Sequence, residues 1–141
     1  MRENTIIELK NISKKFQTEN GIFTAVDDVS LSVKKGEIYG IIGYSGAGKS
    51  TLVRAINLLG RPSSGSVTVR GKNFLSLSAK ELREERKKIG MIFQHFNLMK
   101  SRTVEANVAF PLKRSGLSKT EIAGRVHELL KLVEIESKAK D

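Results

Sequence analysis

Gly43-Tyr44-Ser45-Gly46-Ala47-Gly48-Lys49-Ser50-Thr51 is a complete G-x-x-x-x-G-K-[ST] run, set between an apolar strand-like stretch and an amphipathic helical one. The pattern has a physical reason. A triphosphate carries several negative charges, and a short glycine-rich loop lets successive backbone N–H groups form an anion nest at the positive end of a helix dipole. Gly43, Gly46 and Gly48 permit close approach of the backbone, with Tyr44, Ser45 and Ala47 between them. Lys49 is placed to set its ammonium between β- and γ-phosphates, Ser50 to ligate Mg²⁺ through its hydroxyl, and Thr51 to donate to the α-phosphate. A glycine-rich turn capping a helix would explain the glycines, but not a lysine followed by two hydroxyls.

Working outward, Ile38-Tyr39-Gly40-Ile41-Ile42 is apolar on both faces, the pattern of a central parallel strand covered by helices on each side. Downstream, Leu52, Val53, Ile56 and Leu59 give a helix with an apolar face that stops near Gly60-Arg61-Pro62. The loop is therefore expected to leave a buried strand and open a helix. Ile6–Ile12 reads as a half-exposed strand, Asn20-Gly21 as a turn, and Val29, Leu31 and Val33 alternate in a second strand, which together predict a β-hairpin. Ser66–Arg70 alternates as a further strand, Ser78-Ala79-Lys80-Glu81 resembles a capping box, and Ile89-Gly90-Met91-Ile92-Phe93 reads as a second buried strand. From Thr103 the pattern turns helical, with a break at Pro111 and one apolar face through Ile122, Val126, Leu129, Leu130 and Val133.

The 141 residues are 39% hydrophobic, enough for one ordinary core, and no apolar run approaches the length needed to span a bilayer. Without cysteine there is neither a disulfide framework nor a thiolate metal site, and the Met1-Arg2-Glu3-Asn4 start lacks the apolar core of a signal peptide. A cytoplasmic location is the expectation. The formal charge of +10 would suit a polyanion, yet Lys14-Lys15, Lys34-Lys35 and the Arg83–Lys88 stretch are scattered, have acidic neighbours and lack interleaved aromatics. Solvated faces are the better reading, and no nucleic-acid partner is expected. Asp27-Asp28 precede the loop in a strand or turn, His95 sits beside Phe96, and His127 lies on a charged helix side; none is assigned chemistry.

The block Gly40–Leu52, then Pro62-Ser63-Ser64-Gly65-Ser66-Val67, then Ile92-Phe93-Gln94, resembles the first half of an ABC-transporter ATPase, over nearly the whole chain. Within that family, Ile56-Asn57-Leu58-Leu59, Ile89–Leu98 and Ser101-Arg102-Thr103-Val104 are similar to the methionine-importer ATPase subunit, although polar amino-acid importers share much of the same block. The resemblance implies an α/β P-loop NTPase core with an antiparallel β-subdomain and the start of a helical subdomain, incomplete in these residues. The expected division is 1–93 for the core with the phosphate loop and 94–141 for the Q-loop and opening of the helical subdomain.

By the same resemblance Gln94, 45 residues beyond Lys49, is the Q-loop glutamine that contacts Mg²⁺ or the attacking water. Its amide can coordinate through oxygen and donate through nitrogen. Phe16 stands where the family places an aromatic that stacks on adenine, with Val26 able to pack against the same ring; from the residues alone Phe16 reads first as a core residue, its strand-edge position fitting either role. ATP and Mg²⁺ are the implied cofactors. A second copy of the subunit, transmembrane permease subunits and, indirectly, an extracytoplasmic solute-binding protein are the implied partners, at the cytoplasmic face of the cell membrane. No segment matches the family's L-S-G-G-Q signature, Walker B carboxylates or switch histidine, so these residues are expected to be the N-terminal part of a longer transport ATPase and nearly inactive by themselves. The competing reading is a self-contained nucleotide- or nucleic-acid-binding module without a transport role. A GTPase is disfavoured because no N-K-x-D guanine-reading motif occurs.

Overall fold

A computed structural model describes residues 4–141, and Met1, Arg2 and Glu3, part of the start read for a leader, lie outside the described residues. The chain divides into two units between Met91 and Ile92.

The first unit is organised by a long hairpin, β1 (Thr5–Thr18) and β2 (Gly21–Lys34), joined at Glu19-Asn20. It is the hairpin that Asn20-Gly21 predicts, because Gly21 takes a φ of 108° that a side chain would resist. The pairing slips near Ile12 and Lys14, and two residues with positive φ, Asn11 and Asp28, mark the irregularity. Their side chains hold it together: Asn11 Nδ2 donates to Asp28 Oδ1 at 2.8 Å, and the Asp28 amide donates to Ser13 Oγ at 3.0 Å. Asp28 thus has a structural use, as its position before the loop suggested.

Two shorter strands, β3 (Ser64–Val69) and β4 (Lys72–Asn73), complete a four-stranded antiparallel sheet of order β2-β1-β3-β4. Leu9, Ile12, Val67 and Phe74 are fully buried on it. Helix α1 (Lys49–Ile56) adds Leu52 and Ala55, three positions apart and so on one face. Helix α2 (Ala79–Arg86) begins with the expected capping box of Ser78 and Glu81. Its last residue fastens the far end of α1: Arg86 Nε and Nη2 donate to the carbonyls of Asn57 and Leu58 at 2.7 and 2.6 Å. These are carbonyls that a helix C-terminus leaves free, and a cation there also suits the helix dipole.

The two apolar runs read as buried parallel strands behave differently. Neither 38–42 nor 89–93 pairs with a strand among the described residues, and Ile38, Ile42 and Ile92 are fully or almost fully exposed. Ile41 and Ile89 alone reach the core, half-buried against it. A strand exists through its ladder partners, and the four described strands pair only with one another.

The second unit holds α3 (Val104–Ala109), a 3-10 turn (Pro111–Arg114) and α4 (Lys119–Leu132), with Val126 and Leu130 buried on α4. Thr103 Oγ1 caps α3 by accepting from the Ala106 amide at 3.2 Å, and Ser118 with Glu121 forms a second capping box for α4. Asn107 organises the segment before α3: its Oδ1 accepts from the Met99 amide, while Nδ2 faces the carbonyls of Met99, Arg102 and Thr103 at 3.0 to 3.2 Å.

Candidate functional site

The loop 43–48 enters α1 through Gly48, which is the helix N-cap with φ 82°. A β-carbon at Gly48 would stand 2.1 Å from the Ala25 carbonyl oxygen, so only glycine lets the loop lie this close to β2. Val26, buried on the same strand, has a methyl 3.3 Å from that position and supports the loop from beneath. The Ala47 amide closes a turn onto the Tyr44 carbonyl at 3.2 Å, and the Leu52 amide begins the helix by donating to the Gly48 carbonyl at 2.9 Å. Tyr44, Ser45, Gly46 and Ala47 are all exposed along the outer curve.

Two features make the helix opening hospitable to an anion. No side chain caps α1, and no acidic residue stands in its first turn. The first-turn amides therefore meet no protein carboxylate of this helix, and the positive dipole end is uncompensated. The Lys49 ammonium then spans the loop, donating to the carbonyl oxygens of Gly43 and Tyr44 at 2.8 and 2.7 Å. Ser50 and Thr51 follow in the first turn of α1, with Ser50 exposed. No group of three or more His, Cys, Asp or Glu side chains that could hold a metal exists among the described residues, so a divalent cation here would depend on the Ser50 hydroxyl and on oxygens of its ligand.

Phe16 sits on β1 opposite Phe23 of β2 and is 42% exposed. It is therefore not the core residue that its pattern alone favoured. The Lys14 ammonium stands 5.0 Å from the centroid of the Phe16 ring and donates to the Arg61 carbonyl at 2.8 Å. Sequence reading passed over Lys14 as one more solvated charge. The available signal was its spacing of two from Phe16, which puts both on one face of a strand. Gln94 belongs to the second unit and is exposed, as is His95 beside it. His127 is exposed on α4.

The sequence profile described as "ABC transporter" matches residues 26–141. The chain belongs to the ABC transporter family. It is 60% identical over 133 residues to methionine import ATP-binding protein MetN 1 of Enterococcus faecalis, covering 94% of this chain and 37% of that protein. It is 54% identical to MetN 3 of Oceanobacillus iheyensis, covering 96% and 40% of the two chains. The chain thus spans about two fifths of the length of these curated ABC relatives. Among solved structures, the bacterial ABC transporter cassette MJ0796, described as dimeric and in a post-hydrolysis state bound to ADP and Pi, superposes with a TM-score of 0.87 at 37% identity, over 95% of this chain and 60% of that one. The cbiO1 protein of Clostridium perfringens, part of the ABC transporter complex cbiONQ, gives 0.76 at 29% identity, over 99% and 54%. The fold is accordingly that of an ABC ATPase cassette, of which the described residues form a part. No helix among the described residues is long and apolar enough to cross a membrane.

Proposed function

We propose that this chain is the N-terminal part of the ATP-binding subunit of an ABC importer, and that the full-length subunit couples Mg-ATP hydrolysis to uptake of an amino acid, methionine. The observation that carries the reading is the Lys49 ammonium held across a glycine loop at an uncapped helix N-terminus, in a sequence 60% identical to a methionine import ATP-binding protein.

ATP with Mg²⁺ supplies a γ-phosphoryl group whose transfer depends on positioning and charge neutralisation. The residues of this chain supply part of that positioning. The loop 43–48 would cradle the phosphate chain through backbone amides other than that of Ala47, which is bonded to the Tyr44 carbonyl, and Lys49 would give its ammonium to the β- and γ-phosphate oxygens in place of the Gly43 and Tyr44 carbonyls. Ser50 would offer its hydroxyl to the magnesium ion and Thr51 would donate to the α-phosphate. Phe16 offers a ring face to adenine, while Val26 supports the loop at Gly48 and flanks the same region. Gln94 is the residue that would contact the magnesium ion or the attacking water through its amide.

The general base, the signature motif and the switch histidine match no segment of these 141 residues, so the piece alone binds nucleotide and barely turns it over. In the full-length subunit two copies enclose the nucleotides, and permease subunits, served by a solute-binding protein, hold the pair at the cytoplasmic face of the membrane. A nucleic-acid role is not favoured, because the relatives this chain matches are methionine import ATP-binding proteins.

The test is methionine uptake in cells whose importer depends on the full-length subunit, beside ATP binding by the purified chain. Lys49→Ala is expected to abolish uptake and to weaken binding. Uptake that survives the substitution, or salt-sensitive duplex DNA binding in place of ATP binding, would overturn the proposal.

A further inference from the structure

Lys14 is tied down more firmly than an exposed strand lysine needs to be. Its side chain is half-buried, its ammonium donates to the Arg61 carbonyl at 2.8 Å, and the same ammonium lies 5.0 Å from the Phe16 ring centroid. Arg61 follows the end of α1, so the cation is anchored by a segment far along the chain as well as by its own strand. The Phe16 ring thus carries a fixed positive charge over it, while the residue stays substantially exposed. Phe23 is its partner directly across the ladder.

We infer that Lys14 is a positioning residue: it fixes the Phe16 ring by a cation–π contact for stacking on the base of a nucleotide, and acts on base binding without touching the phosphates. The inference rests on the proposed stacking role of Phe16. The placement suits that reach, since Phe23 and Val26 are three strand positions apart, about 10 Å, and Val26 supports Gly48 of the phosphate loop. A mobile aromatic would have to be ordered on binding; one already held by a cation would not. The cation also draws on the ring's quadrupole, so Arg in its place should serve while an isosteric apolar chain should not.

The experiment compares binding of ATP and of inorganic tripolyphosphate to the purified chain by titration calorimetry, for the wild type, Phe16→Ala, Lys14→Met and Lys14→Arg. Thermal unfolding of each variant checks that it is folded. Phe16→Ala is expected to weaken ATP roughly five- to a hundredfold and leave tripolyphosphate unchanged. Lys14→Met is expected to weaken ATP about two- to fivefold, again without effect on tripolyphosphate, and Lys14→Arg to restore it. In a Phe16→Ala background, Lys14→Met should have no further effect. Equal loss for both ligands on Lys14→Met would make Lys14 a phosphate or folding residue and overturn the inference, as would no loss at all, while the role of Phe16 stood. An unchanged ATP affinity in Phe16→Ala would overturn the stacking role itself, and the inference with it.

Discussion

Gly48 and Ala25 meet with no room between them: a single carbon added to Gly48 would lie 2.1 Å from the Ala25 carbonyl oxygen. The glycine loop is thus located by backbone contact with the hairpin.

Gly48→Ala must therefore separate loop and strand, and it also forces an alanine to a φ of 82°. The expected cost is on the order of 2 to 5 kcal/mol, together with loss of ATP binding. Gly46→Ala shares the positive φ, at 81°, but its β-carbon would meet nothing within 4 Å, so it should cost only about 1 to 2 kcal/mol. Chemical denaturation of the two variants side by side checks the contrast; equal losses would show that conformation, not contact, sets the constraint.

Lys49→Ala should separate binding from stability. The ammonium bonds two carbonyls of exposed loop residues, which water can satisfy, so the fold should lose less than about 1 kcal/mol. ATP affinity should fall roughly ten- to a hundredfold, the worth of charge-assisted bonds to phosphate. Calorimetric titration and thermal unfolding of the same sample report both quantities.

Glu85 predicts an acid limb in the stability of the first unit. Its carboxylate is buried in the side of α2 and paired with Lys72 at 2.5 Å and Lys88 at 3.0 Å. The hydrogen bond from Lys72, then that from Lys88, holds its pKa below the ordinary value of 4.5. A carboxylate with a lowered folded pKa contributes fully above the unfolded value, and that contribution disappears as pH falls through the folded one. Stability should decline below about pH 4.5. Glu81, lowered chiefly by hydrogen bonds from the Ser78 hydroxyl and amide of its capping box, adds to the same slope, and Glu121, lowered likewise by Ser118, gives the second unit an acid limb of its own. Glu85→Gln should be less stable than the wild type at pH 7, with the gap narrowing as the solution is acidified. Melting temperatures across the range decide it, and a gap independent of pH would remove Glu85 from the account.

Asn107 should prove essential to the order of residues 99–103. Asn107→Ala leaves the Met99 amide without its partner at a half-buried site, at a cost of about 1 to 3 kcal/mol. Asn107→Asp keeps the acceptor but loses the donors that faced three carbonyls, and should be no better. Amide hydrogen exchange over this segment should quicken in both variants, with α4 comparatively unaffected.

Much of the site's local chemistry was readable residue by residue. The glycine loop opening α1, the Asn20-Gly21 hairpin and the Ser78–Glu81 capping box depend on neighbours within a few positions, and each forms where its pattern stands; the Ser118–Glu121 box has the same pattern and was not read. The buried-strand reading of 38–42 and 89–93 rested instead on apolarity, which records a tendency to be covered and not the presence of a covering strand. The described strands pair otherwise, and the chain spans only two fifths of its curated relatives.

What the sequence by itself determined is therefore the set of local devices: a lysine and two hydroxyls after a glycine loop, turns, caps and helix faces, all governed by short-range geometry. Only the tertiary structure decided which distant backbones touch. It brought Ala25 against Gly48, the Arg86 guanidinium onto the end of α1, and the Lys14 ammonium between Arg61 and the Phe16 ring. Those contacts join residues separated by many positions, and their geometry is set by how the sheet and helices pack, which no short window of sequence encodes.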